Sequence, residues 1–544
     1  MLETAAEGSL ATLALAKVDV LYLGKGVDVL TYDPFSAAPP SKDQVVDLDA
    51  CQPQVIDDAP ELSYDTMVKK GYTEFTKSLA VEAGLRVAFG AFSSGIDSKF
   101  SSTAKNTTET YFARVQATCR SKTLTVGQNV RMLTKYLSAE FNEALRSATP
   151  EEILDSFGTH VAVTVQYGGR CSYLVSSTAT TELNEQEFKV TANAKYAAVS
   201  GETGVDRKSS ETIRRSEEST SVTVVGGDTT AVVADKPDGL ADWMRSVPDH
   251  PGFLGFTRDG LVPIWMLAGA RHDELYLAFR RRAALHPVIR IFEQTSEKAA
   301  EWPMANVEVP SDYKLLSGGA KVLWSPPGNF LVDSYPSSDE TWTAQSRSHL
   351  KPSAATITAY AVGLYDPPDW ELWDVQPFKA KGTKGPAPSA MVVVPKEYTM
   401  VGGGGHDDTT SGMGNHLRAC YPEDDRWVVT GSYYDVESVG EATAYAVGLR
   451  CNVPGVEVKR VIKVSEPSQQ QSTPVAEQSM EHGYVLVGGG ARCEWSGKGQ
   501  ILTASYPGPE GHSWHAASKE HVHADPGRVT AYAIGIKVTA TATR

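Results

Sequence analysis

The chain predicts an α+β fold, with a mixed N-terminal domain followed by an all-β module of pseudo-threefold symmetry. Three observations carry this. The chain has 544 residues, too many for one ordinary core. Its last third repeats one set of landmarks three times, and the residues before it carry both helical and strand-like patterns. Charged residues at 22% and hydrophobic ones at 41% give a globular balance. A net charge of −15 disfavours a nucleic-acid partner and fits a soluble, released protein.

The opening stretch, "MLETAAEGSLATLALAKVDV", carries Glu3 and Glu7 where a signal peptide would be basic, so release without an evident signal peptide is expected. No stretch approaches the roughly 20 apolar residues of a membrane helix, so any membrane role must use strands or surface contacts. "DVLYLGKGVDVLTYDP" reads as a strand with a turn at Gly24-Lys25-Gly26. From Val81 to Ala91 apolar residues alternate with others; Phe92, Ile96 and Phe100 then recur every fourth position, and Tyr111, Ala113, Val115 and Ala117 return to period two. Residues 129–154 are helical in type, with a stripe of Leu133, Tyr136, Leu137, Phe141 and Leu145. Thr149-Pro150-Glu151-Glu152 starts a new helix with a cap and Pro at its first position.

That helix runs into "FGTHVAVTVQYGGR", a junction followed by a strand expected to end at Gly168-Gly169. The glycine pair is open to two readings, a hinge that bends or a static bulge. His160 is most simply a hydrogen-bonded residue at the bend, in preference to metal or acid/base work. Further on, Phe188, Val190, Ala192, Ala194, Tyr196 and Ala198 alternate with Lys189, Thr191, Asn193 and Lys195. Taken as a helix, the same stretch puts Phe188, Ala192 and Tyr196 on one face. The six cysteines form no C-x-x-C pair and read as small buried residues, a Cys119–Cys171 pairing staying open.

In the last third, Tyr313, Tyr398 and Tyr484 open "YKLLSGG", "YTMVGGG" and "YVLVGGG" at intervals of 85 and 86 residues. Each is followed by a Tyr-Pro (Tyr335, Tyr421, Tyr506), a Trp (Trp342, Trp427, Trp514) and an "AYAVGL"-type strand (Tyr360, Tyr445, Tyr532). Each repeat reads as one small antiparallel sheet, and three such sheets close into a prism. The expected limits are 1–300 for the first domain, 301–312 for a linker and 313–544 for the prism, with repeats near 313–366, 398–451 and 484–537. Three similar loop sets suit avid binding to a repeating surface such as a glycan coat. Receptor-binding candidates are Trp342, Trp427 and Trp514, which serve equally as core or as sugar-stacking platforms, together with His406, Asp407, His512 and His515. The histidines match no metal-ligand spacing, and the glycine runs lack the Lys-Ser/Thr ending of a phosphate loop. Neither H-E-x-x-H nor G-x-S-x-G occurs, so no enzyme activity, metal or cofactor is expected.

"FGTHVAVTVQYGGR", with Phe157, Gly158, Thr159 and His160 followed by Gly168 and Gly169, resembles the signature of the membrane attack complex/perforin (MACPF) family. "LGKGVDVL" is similar to that family's N-terminal glycine element, with Val27 where an aromatic is more usual, and "LVPIWMLAGARHDELYLAFRRR" to its closing segment. The whole chain resembles bacterial insecticidal MACPF toxins. The resemblance implies a bent antiparallel sheet flanked by two helical clusters that rebuild as membrane β-hairpins within a homo-oligomeric ring, assembled on a target-cell membrane from a soluble monomer. Periodicity and resemblance together put the convertible segments at about residues 90–112 and 180–218, with Phe92, Ile96, Phe100, Phe188, Val190, Ala192, Ala194 and Tyr196 as membrane-facing candidates. Two readings compete: a pore-forming toxin that binds a glycan or glycoprotein receptor through the prism, and a nonlytic protein whose lectin-like module carries the activity.

Overall fold

The computed structural model describes residues 22–33, 41–57, 62–82, 96, 99–101, 104–105, 110–178, 184–200, 217–230, 239–411, 414–495 and 499–541. The chain forms two compact units that divide between Ala283 and Ala284.

The first unit is built on two long antiparallel strands, Thr110–Thr125 and Thr164–Thr178. Gln54–Asp57 and Leu62–Lys70 pair in succession along the outer edge of the former, and Glu217–Val225 and Gly252–Phe256 along that of the latter. Because side chains alternate across a strand, Thr110–Thr125 serves two different layers. Ala113, Val115 and Ala117 pack in one cluster with Phe188, Ala192, Tyr196 and Trp243. Phe112 faces the other way, edge-on to Tyr72 at 5.3 Å and to Phe100 at 5.0 Å. The helices Tyr72–Glu82 and Glu185–Ser200 therefore cover opposite faces of the sheet.

A second, four-stranded sheet orders Leu261–Pro263, His160–Ala162, Lys25–Val27 and Ser41–Gln44. Thr149 caps Pro150–Phe157 with a reciprocal Glu152 contact, as the Thr-Pro-Glu-Glu run predicts. The expected stripe from Leu133 to Leu145 is broken into two helices, Val130–Leu133 and Ala139–Ser147. Leu137 instead bridges to Val46, so the intervening turn serves the strand layer. The strand after His160 also differs from expectation. Thr164–Thr178 does not end at Gly168-Gly169 but runs through it, with a register shift opposite, between Arg120 and Lys122.

The second unit contains three six-stranded antiparallel sheets. One orders Ile289–Thr295, Thr356–Tyr365, Tyr313–Leu323, Ile501–Pro507, Ser513–Lys519 and Val475–Ser479. Each sheet thus joins half of one repeat to half of the next, which corrects the expectation of one sheet per repeat. The joints are equivalent: Ala320 pairs with Ser505, Ser334 with Gly405, and Cys420 with Ala491. Across them Tyr360 stacks on Tyr506, Tyr335 on Tyr445 and Tyr421 on Tyr532, with centroids 5.1, 4.9 and 5.0 Å apart. No repeat can complete a sheet alone, so the three fold as one body.

The expected domain limits shift accordingly. Ile289–Thr295 pairs along its length with Thr356–Tyr365, and Met304–Glu308 with Thr341–Arg347. Residues 284–300 belong to the second unit, and the expected linker at 301–312 contains an edge strand that buries Ala305 and Val307.

Candidate functional site

The family-like motifs, distant in sequence, meet in the four-stranded sheet. Gly158 adopts φ +70°, a conformation open mainly to glycine, and ends the preceding helix. The buried Thr159 hydroxyl donates to the Val27 carbonyl at 3.2 Å and accepts from the Val29 amide at 3.0 Å. The Ile264 amide donates to the Thr159 carbonyl at 3.1 Å, which ties in the closing segment. Asp28 is ion-paired with Arg282 at 3.0 Å. His160 packs edge-on to Trp265, with centroids 5.3 Å apart, its Nδ1 3.1 Å from the Thr159 hydroxyl. Burial pushes its imidazole down to about 3, which favours the neutral form.

The glycine pair has a packing reason. A β-carbon on Gly169 would fall 2.4 Å from Val247 Cγ2 and 2.6 Å from Trp243 Cζ2, so only glycine lets the helix Gly239–Ser246 seat its indole on the sheet. In this conformation the site is a tightly packed irregularity. Cys119 and Cys171 are buried, free thiols on adjacent strands.

The helix Glu185–Ser200 begins where Asn184 and Glu187 cap one another's amides at 3.0 Å. Its residues Phe188, Ala192 and Tyr196 are buried against the central sheet, as the four-residue spacing predicts, while Val190 is 57% exposed. Phe188 stacks on Tyr111 with centroids 5.8 Å apart, and the Thr66 hydroxyl donates to Asn193 Oδ1 at 2.7 Å. Among the described side chains the apolar contact comes from one helical face, Phe188, Ala192 and Tyr196, and the sequence keeps its two-residue alternation. On the opposite face Ile96 and Phe100 are buried, Phe100 against Tyr72, Phe75 and Phe112. Phe92, the side chain of Ala194 and the greater parts of the segments 90–112 and 180–218 lie outside the described residues.

Sequence reasoning missed a charged clamp beside the first segment. Arg114, buried on the sheet, forms ion pairs with Asp65 of the neighbouring strand and with Glu82, the last residue of Tyr72–Glu82. The available signal was an arginine in the middle of an alternating apolar strand.

In the second unit the tryptophans are corrected outright. Trp342, Trp427 and Trp514 are fully buried, and their indole N–H groups donate to Ser334 Oγ, Cys420 Sγ and Ser505 Oγ. Each ring lies over the glycine five residues after its repeat's opening tyrosine: β-carbons on Gly318, Gly403 and Gly489 would fall 2.3, 2.4 and 2.4 Å from it. The apolar face that would stack a sugar is spent on the fold. His512 is exposed, and His515 stacks on Tyr506 at 5.3 Å. His406 and Asp407 come together elsewhere. The Nδ1 of His406 is 2.5 Å from Asp333, whose hydrogen bond raises the imidazole above its ordinary range.

Residues 15–267 match the family model for the MAC/Perforin domain. Among solved structures the chain is similar to GNIP1Aa from Chromobacterium piscinae, at 16% identity and TM-score 0.42 over 70% of this chain and 78% of that one. A MAC/Perforin-domain protein from Bacteroides thetaiotaomicron is similar at 16% identity and TM-score 0.37, over 48% and 61% of the two chains. Stonustoxin is similar at 16% identity and TM-score 0.20, over 48% and 35%. No curated protein matches the chain.

Proposed function

We propose that this chain, whose residues 15–267 match the MAC/Perforin domain model, is a pore-forming toxin. The second unit binds a target-cell surface, subunits assemble into a ring, and two segments of each insert as β-hairpins. The observation that carries this reading is the helix Glu185–Ser200, which docks on the sheet through Phe188, Ala192 and Tyr196 yet retains a two-residue alternation. A permanent scaffold helix has no use for that second pattern. A hairpin leaves its edge groups unpaired in lipid unless neighbours close the barrel, so assembly precedes insertion. No helix among the described residues is long and apolar enough to cross a membrane, which is compatible with crossing by strands.

Release by a bacterium, an insect target, a glycan or glycoprotein receptor and the lack of enzyme activity belong to the same proposal. The first two rest on the sequence resemblance alone and call for feeding and fractionation assays. The nonlytic, lectin-like alternative separates from it by dye release.

The test uses a reversible lock. Thr66 and Asn193, already in side-chain contact, are replaced as T66C/N193C. The oxidised protein should bind target membranes without releasing dye or forming inserted rings, and reduction should restore both. Equal leakage from the oxidised double variant and the wild type would sink the proposal that this helix must leave the sheet.

A further inference from the structure

The three repeats of the second unit are clasped to one another at one end of their pseudo-threefold axis. Seven residues beyond Trp342, Trp427 and Trp514 stand His349, Tyr434 and His521. Their rings are in mutual contact, with centroids 6.0, 5.4 and 6.1 Å apart. Each side chain hydrogen-bonds to the main chain of the next repeat. His349 Nε2 donates to the Tyr434 carbonyl at 2.8 Å, the Tyr434 hydroxyl accepts from the His523 amide at 2.9 Å, and His521 Nε2 donates to the His349 carbonyl at 2.7 Å. The last of these closes the circle from the third repeat to the first. Phe330 packs edge-on against both imidazoles, and Tyr434 shares an apolar cluster with Phe330, Val332 and Ile501.

The closing link is built for a neutral imidazole. With its Nε2–H given to the carbonyl, His521 holds its lone pair on Nδ1, 3.1 Å from the Lys519 Nζ. Lys519 is 1% exposed, donates to the Pro327 carbonyl and lies 3.4 Å from that of Gly328. Burial pushes this amine down to about 7, so it carries its charge throughout the acid range. A proton on Nδ1 replaces an acceptor with a second donor and sets two cations 3.1 Å apart in a buried place. The other titratable groups bearing on His521 and its neighbour His416 are bases as well: Arg347, which is buried and donates to the Asn415 carbonyl, His349 and Arg418. The carboxylates of this end are engaged elsewhere. Asp435 pairs with His523 at 3.1 Å, Asp525 accepts from the Gly499 amide, Glu520 accepts from the Asp525 amide, and Asp333 and Asp407 act on Arg347.

We propose that the circle of His349, Tyr434 and His521 is an acid-opened clasp: protonation of His521 opposite Lys519 parts the third repeat from the first at this end of the second unit and uncovers Phe330, Val332 and Ile501. The inference stands apart from the pore-forming reading, since every group in it lies within residues 284–544. The sign follows from linkage. The closed clasp holds His521 at about 4, below the ordinary imidazole range, so the open form takes up the proton first. The clasp is therefore fully closed above about pH 6.5. Each pH unit below that multiplies the open fraction about tenfold for each histidine released, until the closed form also takes up its proton near pH 4.

The test is hydrogen exchange of the full chain, read by mass spectrometry on the peptides that carry His349, Tyr434 and His521 and corrected for the intrinsic effect of pH. Between pH 6.5 and 4.5 the protection of these peptides should fall about a hundredfold or more, while the strand Thr356–Tyr365 keeps its own. Glutamine in H521Q offers the same donor and acceptor without a titrating proton, and its fall should be at least about tenfold smaller than that of the wild type. Should H521Q fail to fold, K519M removes the opposing ammonium and should move the fall to lower pH. Protection of the three peptides that acid leaves unchanged, or an equal loss in Thr356–Tyr365, would overturn the proposal. So would a fall as steep in H521Q as in the wild type, or one at the same pH in K519M.

Discussion

At the residue scale, buried ionisable groups in the second unit make stability depend on pH in two opposed ways. Burial pushes the His521 imidazole down to about 4 and holds His416 well below its ordinary range. His521 faces Lys519 Nζ at 3.1 Å and the His349 carbonyl at 2.7 Å, while Arg347 adds to the pressure on His416. The unfolded chain therefore takes up these protons first, so their contribution is whole above about pH 6.5 and is lost as the pH falls toward 4. Asp407 runs the other way. Burial pushes its carboxyl up to about 7, against Arg347 and His406 and with Asp333 and Asp408. The folded protein then holds that proton more tightly than the unfolded chain, and stability declines as pH rises from about 4 to 7. The wild type should therefore show a blunted fall in melting temperature on acidification from pH 6.5 to 4, and D407V a steeper one. A D407V melting temperature that does not change across that interval would refute the histidine assignment.

At the element scale, the two helical layers are held to the central sheet by different chemistry. Among its described side chains, Glu185–Ser200 is held by the apolar anchors Phe188, Ala192 and Tyr196 and by the Thr66–Asn193 contact. Tyr72–Glu82 adds the Arg114 clamp to Asp65 and Glu82, whose carboxylates are 60% and 45% exposed. In R114A these acids return to water, so the loss should be moderate, about 2 kcal/mol. If release of the first segment limits insertion, R114A should shorten the half-time of dye release severalfold. Slower release at equal membrane binding would assign the clamp to the inserted state instead. The glycine pair suits a hinge test poorly, because a side chain on Gly169 would displace Trp243 before any motion began. Anchor spacing was legible in the sequence at Phe188, Ala192 and Tyr196, since one helical face must repeat every three to four residues. The Arg114 clamp was not, because its acids lie 49 and 32 residues away.

At the scale of the whole molecule, repeat sharing decides what can fold alone. Residues 284–544 contain all eighteen strands of the three sheets. A fragment beginning at 284 should give a β-type circular dichroism spectrum and one cooperative melting transition. A fragment beginning at 313 loses Ile289–Thr295 and Met304–Glu308, opening an edge on two of the sheets, and should aggregate or melt well below the longer one. Equal stability of the two fragments, measured by scanning calorimetry, would show these strands to be dispensable.

The threefold repeat, the Thr149 cap, the anchors of Glu185–Ser200 and the likeness to the MAC/Perforin domain were legible in the sequence, because all are written in spacings of a few residues or in motifs repeated along the chain. The splitting of each repeat between two sheets, and the sealing of Trp342, Trp427 and Trp514 over glycines, came from the tertiary structure alone. The physical reason is that burial and pairing depend on neighbours brought from far along the chain. A tryptophan after a turn has the same local pattern whether it faces solvent or core, and only the strand opposite it settles which.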